Sequence, residues 1–176
     1  MIRRVAWWCA ALAALAVPAA AQQGPSFEAG VFARGTLFDP SLEVTGTAGL
    51  GARAGVLPGD RWLLEADFSA SAVDGLAGIP ETSYRSLHLR VNYLRPYSDR
   101  GQLVAGLGVV GNSYGGAWKE TDAGITGLFG FRVKLARALV FRADGSLDYL
   151  PSPANRAGDN WIAAVQLGVG YRFGGS

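Results

Sequence analysis

The chain is poor in the residues that build metal centres and disulfide frameworks. It has one Cys and one His among 176 residues, and 17% of its residues are charged. A single cysteine excludes a disulfide framework and a thiolate zinc site, and a single histidine argues against a His-rich metal centre. We therefore expect no cofactor. The hydrophobic share of 49% argues against intrinsic disorder.

The first 21 residues have the layout of a secretory signal peptide. A basic head over 1–4 precedes an apolar run over 5–17, and Ala19-Ala20-Ala21 supplies the small residues of a cleavage site. The run is too short for a stable transmembrane helix. Removing its two arginines leaves 16 − 2 = 14 basic against 14 acidic residues. The expected mature domain, 22–176, therefore has no net charge that would favour nucleic acid as a partner.

After residue 21 there is no apolar stretch of about 20 residues, so no transmembrane helix is predicted. The dominant pattern is instead an alternation of apolar and polar residues, which is typical of β-strands. Eight segments show it, and each is longer than the ~5–6 residues of a common soluble strand. The predicted strands are 26–37, 43–56, 61–72, 83–95, 102–112, 122–135, 139–150 and 160–173.

One face of these segments is apolar and the other carries nearly all of the charge. In 160–173, for example, Trp161, Val165, Leu167 and Val169 share a face. A soluble ligand-binding barrel has the reverse arrangement, an apolar lumen and a polar exterior. Charge toward the axis and apolar side chains toward lipid favour an all-β fold, an eight-stranded antiparallel up-and-down transmembrane β-barrel. A soluble secreted barrel is the alternative, and it predicts solubility without detergent.

The parity of each position, that is, whether its side chain points to the lumen or to lipid, defines a candidate site. This site is a network of ionisable side chains in the lumen with a structural or a gating role. Its acidic members are Glu28, Glu65, Asp67, Asp144 and Asp148. Its basic members are Arg34, Arg53, Arg90, Arg132, Lys134, Arg142 and Arg172, and His88 completes it. We expect Arg53 near Glu65 across a turn, Arg172 near Glu28 at the seam, and Arg132 opposite Arg142 with Asp144 diagonal to them.

The links between the predicted strands alternate between short turns and longer loops. Short turns at one end and long loops at the other are typical of outer-membrane barrels, whose termini and turns face the periplasm. The loops over 38–42, 73–82, 113–121 and 151–159 would then be extracellular. Aromatic residues near the strand ends predict two interfacial girdles, with Phe38 and Tyr84 in the outer one.

Glycine and aromatic patterns in four strands together resemble the OmpA-type outer-membrane β-barrel domain family. The resemblance covers nearly all of 26–173, and the patterns that carry it lie at 103–108, 127–133, 139–144 and 167–173. It implies a bacterial outer-membrane location and recognition of the last strand by the barrel-assembly machinery. The chain departs from the family where Gly174-Gly175-Ser176 follows Phe173, since that signal usually ends the chain. We expect a barrel alone, without a peptidoglycan-binding domain.

An eight-stranded barrel is just wide enough for side chains to fill it. We therefore expect a largely plugged lumen and a structural or surface-interaction role, with outer-membrane lipids, including lipopolysaccharide, as partners. The alternative is a small porin-like channel for ions or small solutes. A lipid-modifying enzyme is disfavoured, because Ser86 and His88 are ~6.5–7 Å apart along one strand, too far for a nucleophile–base hydrogen bond. The partner of the surface loops is not predicted.

Overall fold

The computed structural model describes residues 24–39, 46–73, 82–115, 120–151 and 160–174. The predicted signal peptide and most of the predicted long loops lie outside these residues. Within the described ranges, the regular structure is entirely β-strand, and no helix is long and apolar enough to cross a membrane.

Eight strands form the fold, and all are close to their predicted positions. They are β1 Ser26–Phe38, β2 Thr47–Leu57, β3 Trp62–Val73, β4 Thr82–Pro96, β5 Gly101–Gly115, β6 Glu120–Lys134, β7 Leu139–Leu150 and β8 Asn160–Phe173. Five of them are at least 13 residues long. A tilted strand that crosses a bilayer needs ~9–11 residues, so these strands are long enough to cross with residues to spare at the rims.

Each strand pairs antiparallel with its neighbour in sequence, and the sheet closes into a barrel. Closure is made by β1 and β8, which are in register from Phe27 opposite Phe173 to Phe38 opposite Ile162. This confirms the predicted eight-stranded antiparallel barrel. Closure removes the free sheet edges whose unpaired amides and carbonyls would each cost several kcal/mol in hydrocarbon.

The connections at the two ends of the barrel differ less than predicted. The turns 58–61, 97–100 and 135–138 are all short, and the second is closed by the Tyr97 amide, which donates to the Gly101 carbonyl at 3.0 Å. At the opposite end, 39–46, 74–81 and 151–159 are longer, but 116–119 is as short as a turn. The predicted bounds of the loop over 113–121 were wrong, because β5 continues to Gly115 and β6 begins at Glu120; the rest of that predicted loop, 116–119, lies outside the described residues.

The outer wall of the barrel is a continuous apolar surface. At the outward positions of the described strands, the only charged side chains are Arg85 and Arg95, and both are in β4. Exposed aliphatic and aromatic side chains fill the other outward positions, among them Val31, Leu50, Phe68, Leu107, Ile125, Phe129, Val165 and Leu167. A wall of this kind is stable against acyl chains, because a charge at the bilayer midplane costs ~2–4 kcal/mol.

Parity alone predicted that apolar side chains face lipid, but near both ends of the barrel apolar side chains also turn inward. At the turn end they form a buried cluster, called here the turn-end cap, of Leu57, Leu63, Leu94, Val104 and Leu128. At the loop end the loop-end cap consists of Tyr84, Val110, Leu150 and Ile162, with Phe38 and Tyr114 packed against them. The charged middle of the lumen therefore lies between two apolar layers.

Inward-facing glycines make room for the long arginines of the lumen. Four arginines each lie directly opposite a glycine of a neighbouring strand. The pairs are Arg34 with Gly49, Arg53 with Gly30, Arg90 with Gly108 and Arg142 with Gly168. Because a glycine adds no side-chain volume, each guanidinium can extend across the lumen instead of along the wall.

We predict that Gly108→Ala destabilises the barrel, whereas Gly111→Ala on the same strand does not. A Cβ at Gly108 would overlap the Leu89 carbonyl oxygen and lie 2.8 Å from the Cα of Arg90, but at Gly111 nothing lies within 4 Å. Overpacking of this kind costs ~1–3 kcal/mol. Urea unfolding of the two variants in detergent micelles, followed by gel mobility without boiling, measures the difference. Equal midpoints would contradict the close-approach argument.

Candidate functional site: the charged lumen

The structure buries eleven of the thirteen predicted lumen residues and leaves two at the rim. The buried ones are Glu28, Arg34, Arg53, Glu65, Asp67, His88, Arg90, Arg132, Arg142, Asp144 and Asp148. Lys134 and Arg172 are only half-buried, because both lie near the turn end of their strands. The prediction omitted Asp122, which has the same inward parity in β6 and is buried.

His88 is the centre of the network nearer the loop end. Its Nδ1 lies 3.0 Å from Asp67 Oδ1 and its Nε2 lies 3.1 Å from Asp148 Oδ2, and the ring is completely buried. Carboxylate oxygens only accept hydrogen bonds, so both contacts are satisfied when both ring nitrogens are protonated. Arg34 Nη1 is also 3.5 Å from Nδ1, but arginine only donates, and the shorter carboxylate contact decides the geometry.

Two arginines complete this loop-side network. Arg34 donates to Asp148 Oδ2 at 3.3 Å, and Arg90 donates to Asp67 Oδ2. The five groups form one chain from Arg34 through Asp148, His88 and Asp67 to Arg90. The chain crosses the lumen between four strands, β1, β7, β4 and β3, and so ties together walls that are not neighbours in the sheet.

A second network lies nearer the turn end. Arg142 donates from Nε to Asp144 Oδ1 at 2.9 Å and from Nη1 to Glu65 Oε2 at 2.5 Å. Arg53 donates to the other oxygen of Asp144 at 2.9 Å, and its guanidinium carbon lies 4.6 Å from the ring centroid of Phe32. In this turn-side network two arginines and two carboxylates balance each other, which is what burial of charge requires.

Glu28 and Arg132 form a third, separate ion pair between β1 and β6. For Arg132, no other carboxylate contact is recorded among the described residues. Two of its guanidinium nitrogens, Nε and Nη1, are buried without a hydrogen-bond partner in the described part of the chain. Loss of Glu28 therefore leaves the buried Arg132 guanidinium without a recorded carboxylate partner in the described part of the chain.

One of the expected pairings was wrong, and one agrees with the register. Arg53 bonds to Asp144, not to Glu65, because Arg53 lies opposite Gly30 and Asp67 in the sheet and its guanidinium extends across the lumen. Arg172 lies opposite Glu28 at the seam, as predicted, and its guanidinium donates to Ser26 Oγ at 3.0 Å and lies 3.9 Å from Asp60.

The remaining expectation for the lumen agrees with the register. Arg132 and Arg142 lie directly opposite each other, and Arg142 contacts the diagonal Asp144. Their positive charges are separated by different partners, since Arg132 pairs with Glu28 and Arg142 pairs with Glu65 and Asp144.

Two aromatic residues assigned to the outer girdle lie inside the barrel instead. Tyr84 is buried, and its hydroxyl donates to Asn112 Oδ1 at 3.0 Å. Phe38 packs edge-on against the Tyr84 ring, with centroids 5.0 Å apart. Both have the inward parity of their strands, so counting from the charged residues of β1 and β4 would have placed them in the lumen. The assignment considered only their distance from the strand ends.

The surroundings of His88 differ from those of a Ser–His catalytic pair. Ser86 Oγ is 3.0 Å from Ser69 Oγ, and both nitrogens of His88 face carboxylates. Across the described ranges, no cluster of three or more His, Cys, Asp or Glu side chains is arranged to hold a metal ion. The geometry favours mutual satisfaction of charge in the lumen.

We predict that Glu28→Gln strongly destabilises the barrel and that adding Arg132→Met largely restores it. The single change leaves a buried guanidinium without its carboxylate, which costs ~3–5 kcal/mol, whereas removal of both charges is often neutral. Asp60→Asn is the matched control, because Asp60 is an acid whose side chain is 83% exposed and whose contact with Arg172 is 3.9 Å. Exposed pairs contribute ~0–1 kcal/mol. Additive effects of Glu28→Gln and Arg132→Met in urea unfolding would contradict direct coupling.

Comparison with known proteins agrees with this architecture. A family model described as an outer membrane protein beta-barrel domain matches residues 8–173. A search of curated proteins gave no match.

Solved structures with the same fold include three bacterial surface barrels. Neisserial surface protein A is 16% identical with a TM-score of 0.60, over 86% of this chain and 99% of that one. OprG from Pseudomonas aeruginosa is 16% identical with a TM-score of 0.58, over 86% and 96%. Ail, the attachment invasion locus protein of Yersinia pestis, is 14% identical with a TM-score of 0.56, over 86% and 100%. At these identities the similarity shows the fold.

Proposed function

This chain belongs to the outer membrane protein beta-barrel domain family, and from that premise we propose that it is a sealed barrel of the bacterial outer membrane with a structural or surface-interaction role. The observation that carries the proposal is the layering of the lumen. Two ion-pair networks occupy the middle of the lumen, with the turn-end cap on one side and the loop-end cap on the other.

The layers act as barriers in series. A hydrated ion that enters from the turn end passes the half-buried rim cations Lys134 and Arg172 and then meets Leu63 and Leu94, which have no exposed surface. From the loop end it meets Leu150 and Ile162, which are equally buried. Between the caps the charges are engaged with one another, so they offer few free ligands to replace lost hydration. The layering supports a plugged barrel over the alternative of a small porin-like channel.

A plugged barrel leaves its outward surfaces for function. The apolar wall contacts lipid, and the residues of the longer connections would contact lipopolysaccharide or an external partner. One structural relative is called an attachment invasion locus protein, and a contact role of that general kind fits a barrel whose lumen is filled. In this proposal β8 is the strand that the barrel-assembly machinery recognises, the termini are periplasmic and the longer connections are extracellular.

We predict that the unmodified protein gives no steady conductance in planar bilayers. Glu65→Gln with Arg142→Gln removes an ion pair from the charged layer, and Leu94→Ala with Leu150→Ala thins both caps. Because the layers are in series, each double variant is expected to stay closed and the quadruple variant to show discrete openings. Heat-modifiable gel mobility checks that every variant is folded. Steady conductance of the unmodified protein would favour the channel.

We also predict an outer-membrane location with the turns in the periplasm. Asp99→Cys places a thiol in an exposed turn, and Pro151→Cys places one at the opposite, loop end. On intact cells, a membrane-impermeant maleimide should label the Pro151 variant, and it should label the Asp99 variant only after the outer membrane is permeabilised. The parent chain is a clean background if Cys9 is removed with the signal peptide. The reverse labelling pattern would overturn the orientation.

A further inference from the structure

Positive charge is concentrated at the turn end of the barrel. Arg61, Arg95, Arg100, Lys134 and Arg137 lie in the three turns or at the strand ends beside them, and we call these five residues the basic collar. The four arginines are exposed and Lys134 is half-buried. The turn end also carries two acids, Asp60 and Asp99, so the positive charge is in clear excess.

Backbone hydrogen bonds between adjacent turns bring the collar residues together. The Leu94 amide donates to the Arg61 carbonyl at 2.7 Å, which places Arg61 beside the end of β4, where Arg95 lies. The Lys134 amide donates to the Arg100 carbonyl at 2.8 Å. The collar therefore contains two pairs of neighbouring cations, and Arg137 continues it into the turn before β7.

The described acids at the turn end form no recorded ion pair with these cations. Asp60 faces Arg172 on the inner side of the rim, at 3.9 Å. Within the described residues, no ion pair is recorded for any member of the collar. Like charges that are held close together and outnumber the neighbouring carboxylates create a local positive potential, which attracts an anion from outside the chain.

The height of the collar indicates which anion it meets. Trp62, Tyr93 and Tyr97 are partly exposed next to it, and aromatic belts of this kind lie at the level of lipid head groups. Arg95 and Arg85 lie on the same outward face of β4, ten residues apart. At ~3.3 Å per residue and a tilt of ~40°, they are separated by ~25 Å along the membrane normal, which equals the height of the apolar band. Arg95 thus reaches the head groups of one leaflet.

We propose that the basic collar is a docking surface for anionic phospholipids of the leaflet at the turn end, and that it binds their phosphate groups. Guanidinium groups donate two parallel hydrogen bonds to phosphate, which suits the four exposed arginines. A soluble anionic polymer would need charge that points away from the membrane. Here the cations adjoin the aromatic belt, and Arg95 points outward into lipid. The inference rests on the proposed function, since it requires that the barrel spans a bilayer.

Trp62 provides a local reporter. Protein is recovered from the outer-membrane fraction of cells expressing a Trp118→Phe, Trp161→Phe chain, so that Trp62 remains as the tryptophan of the barrel. The purified protein is placed in vesicles of phosphatidylcholine that contain increasing amounts of brominated phosphatidylglycerol or brominated phosphatidylcholine, and quenching of the Trp62 fluorescence is measured. The ratio of the two quenching curves gives the relative association constant of the anionic lipid near the collar.

Each basic side chain near an anionic surface contributes about fivefold in binding. We therefore expect clear selectivity for phosphatidylglycerol, and a loss of about 100-fold when Arg61, Arg100 and Arg137 are all changed to Gln. Arg85→Gln is the matched control, because it removes an exposed arginine from the opposite end of the same wall, and it should leave the selectivity at Trp62 unchanged. High salt should weaken the selectivity of the unmodified collar.

The outcomes separate this inference from the proposed function. Equal quenching by both brominated lipids, or full selectivity in the triple variant, would contradict lipid binding by the collar. Either result would still show that the barrel is inserted in the membrane. Reversal of the selectivity by soluble peptidoglycan fragments, which compete for the same cations, would also overturn it in favour of a wall polymer. Absence of quenching by either lipid would mean that the barrel is not inserted, and it would overturn the proposed function.

Discussion

The constraint on which the whole structure depends is that a chain in hydrocarbon must satisfy its own polar groups. For the backbone this requires closure, and the twelve register pairs between β1 and β8 supply it. For the side chains the same requirement explains why the twelve buried Asp, Glu, Arg and His side chains of the described residues can be tolerated. They are placed where they meet one another, inside a wall whose outward positions are almost free of charge in the described strands.

The lumen also depends on a match of side-chain size between neighbouring strands. Arginine has a side chain long enough to cross an eight-stranded barrel, and a glycine at the opposite position leaves room for it to do so. Gly30, Gly49, Gly108 and Gly168 provide that space. Arg53 and Arg142 extend across the barrel to partners on distant strands, Asp144 and Glu65, whereas Arg90 pairs with Asp67 on the neighbouring β3. The ion pairs therefore brace the barrel across its diameter, in addition to the hydrogen bonds along its wall.

Much of this fold could be predicted from alternation alone, but the contents of the lumen could not. Parity assigns each side chain to a face, and it placed Glu65, His88 and Arg142 inward. It says nothing of how far a side chain reaches, so the Arg53–Glu65 pairing was wrong. It also treats a strand as uniform along its length, although the membrane environment changes along it. Leu63 and Tyr84 follow the inward parity near opposite ends of the barrel, yet they form apolar caps instead of continuing the charged layer.

The same reasoning connects the sealed interior with the charged rim. Inside the barrel, water is excluded and each buried cation in the networks is matched by a carboxylate, because an unmatched one would cost several kcal/mol. At the turn end, Arg61, Arg100 and Arg137 are exposed, so that penalty is absent and an excess of cations is tolerated. The cations of such an excess repel one another, and bound anions lower the free energy of the rim by reducing this repulsion. The distribution of charge thus follows solvent access. Where lipid and the caps exclude water, carboxylates of the chain neutralise the cations. Where the barrel meets the head groups, the cations stay available to external anions.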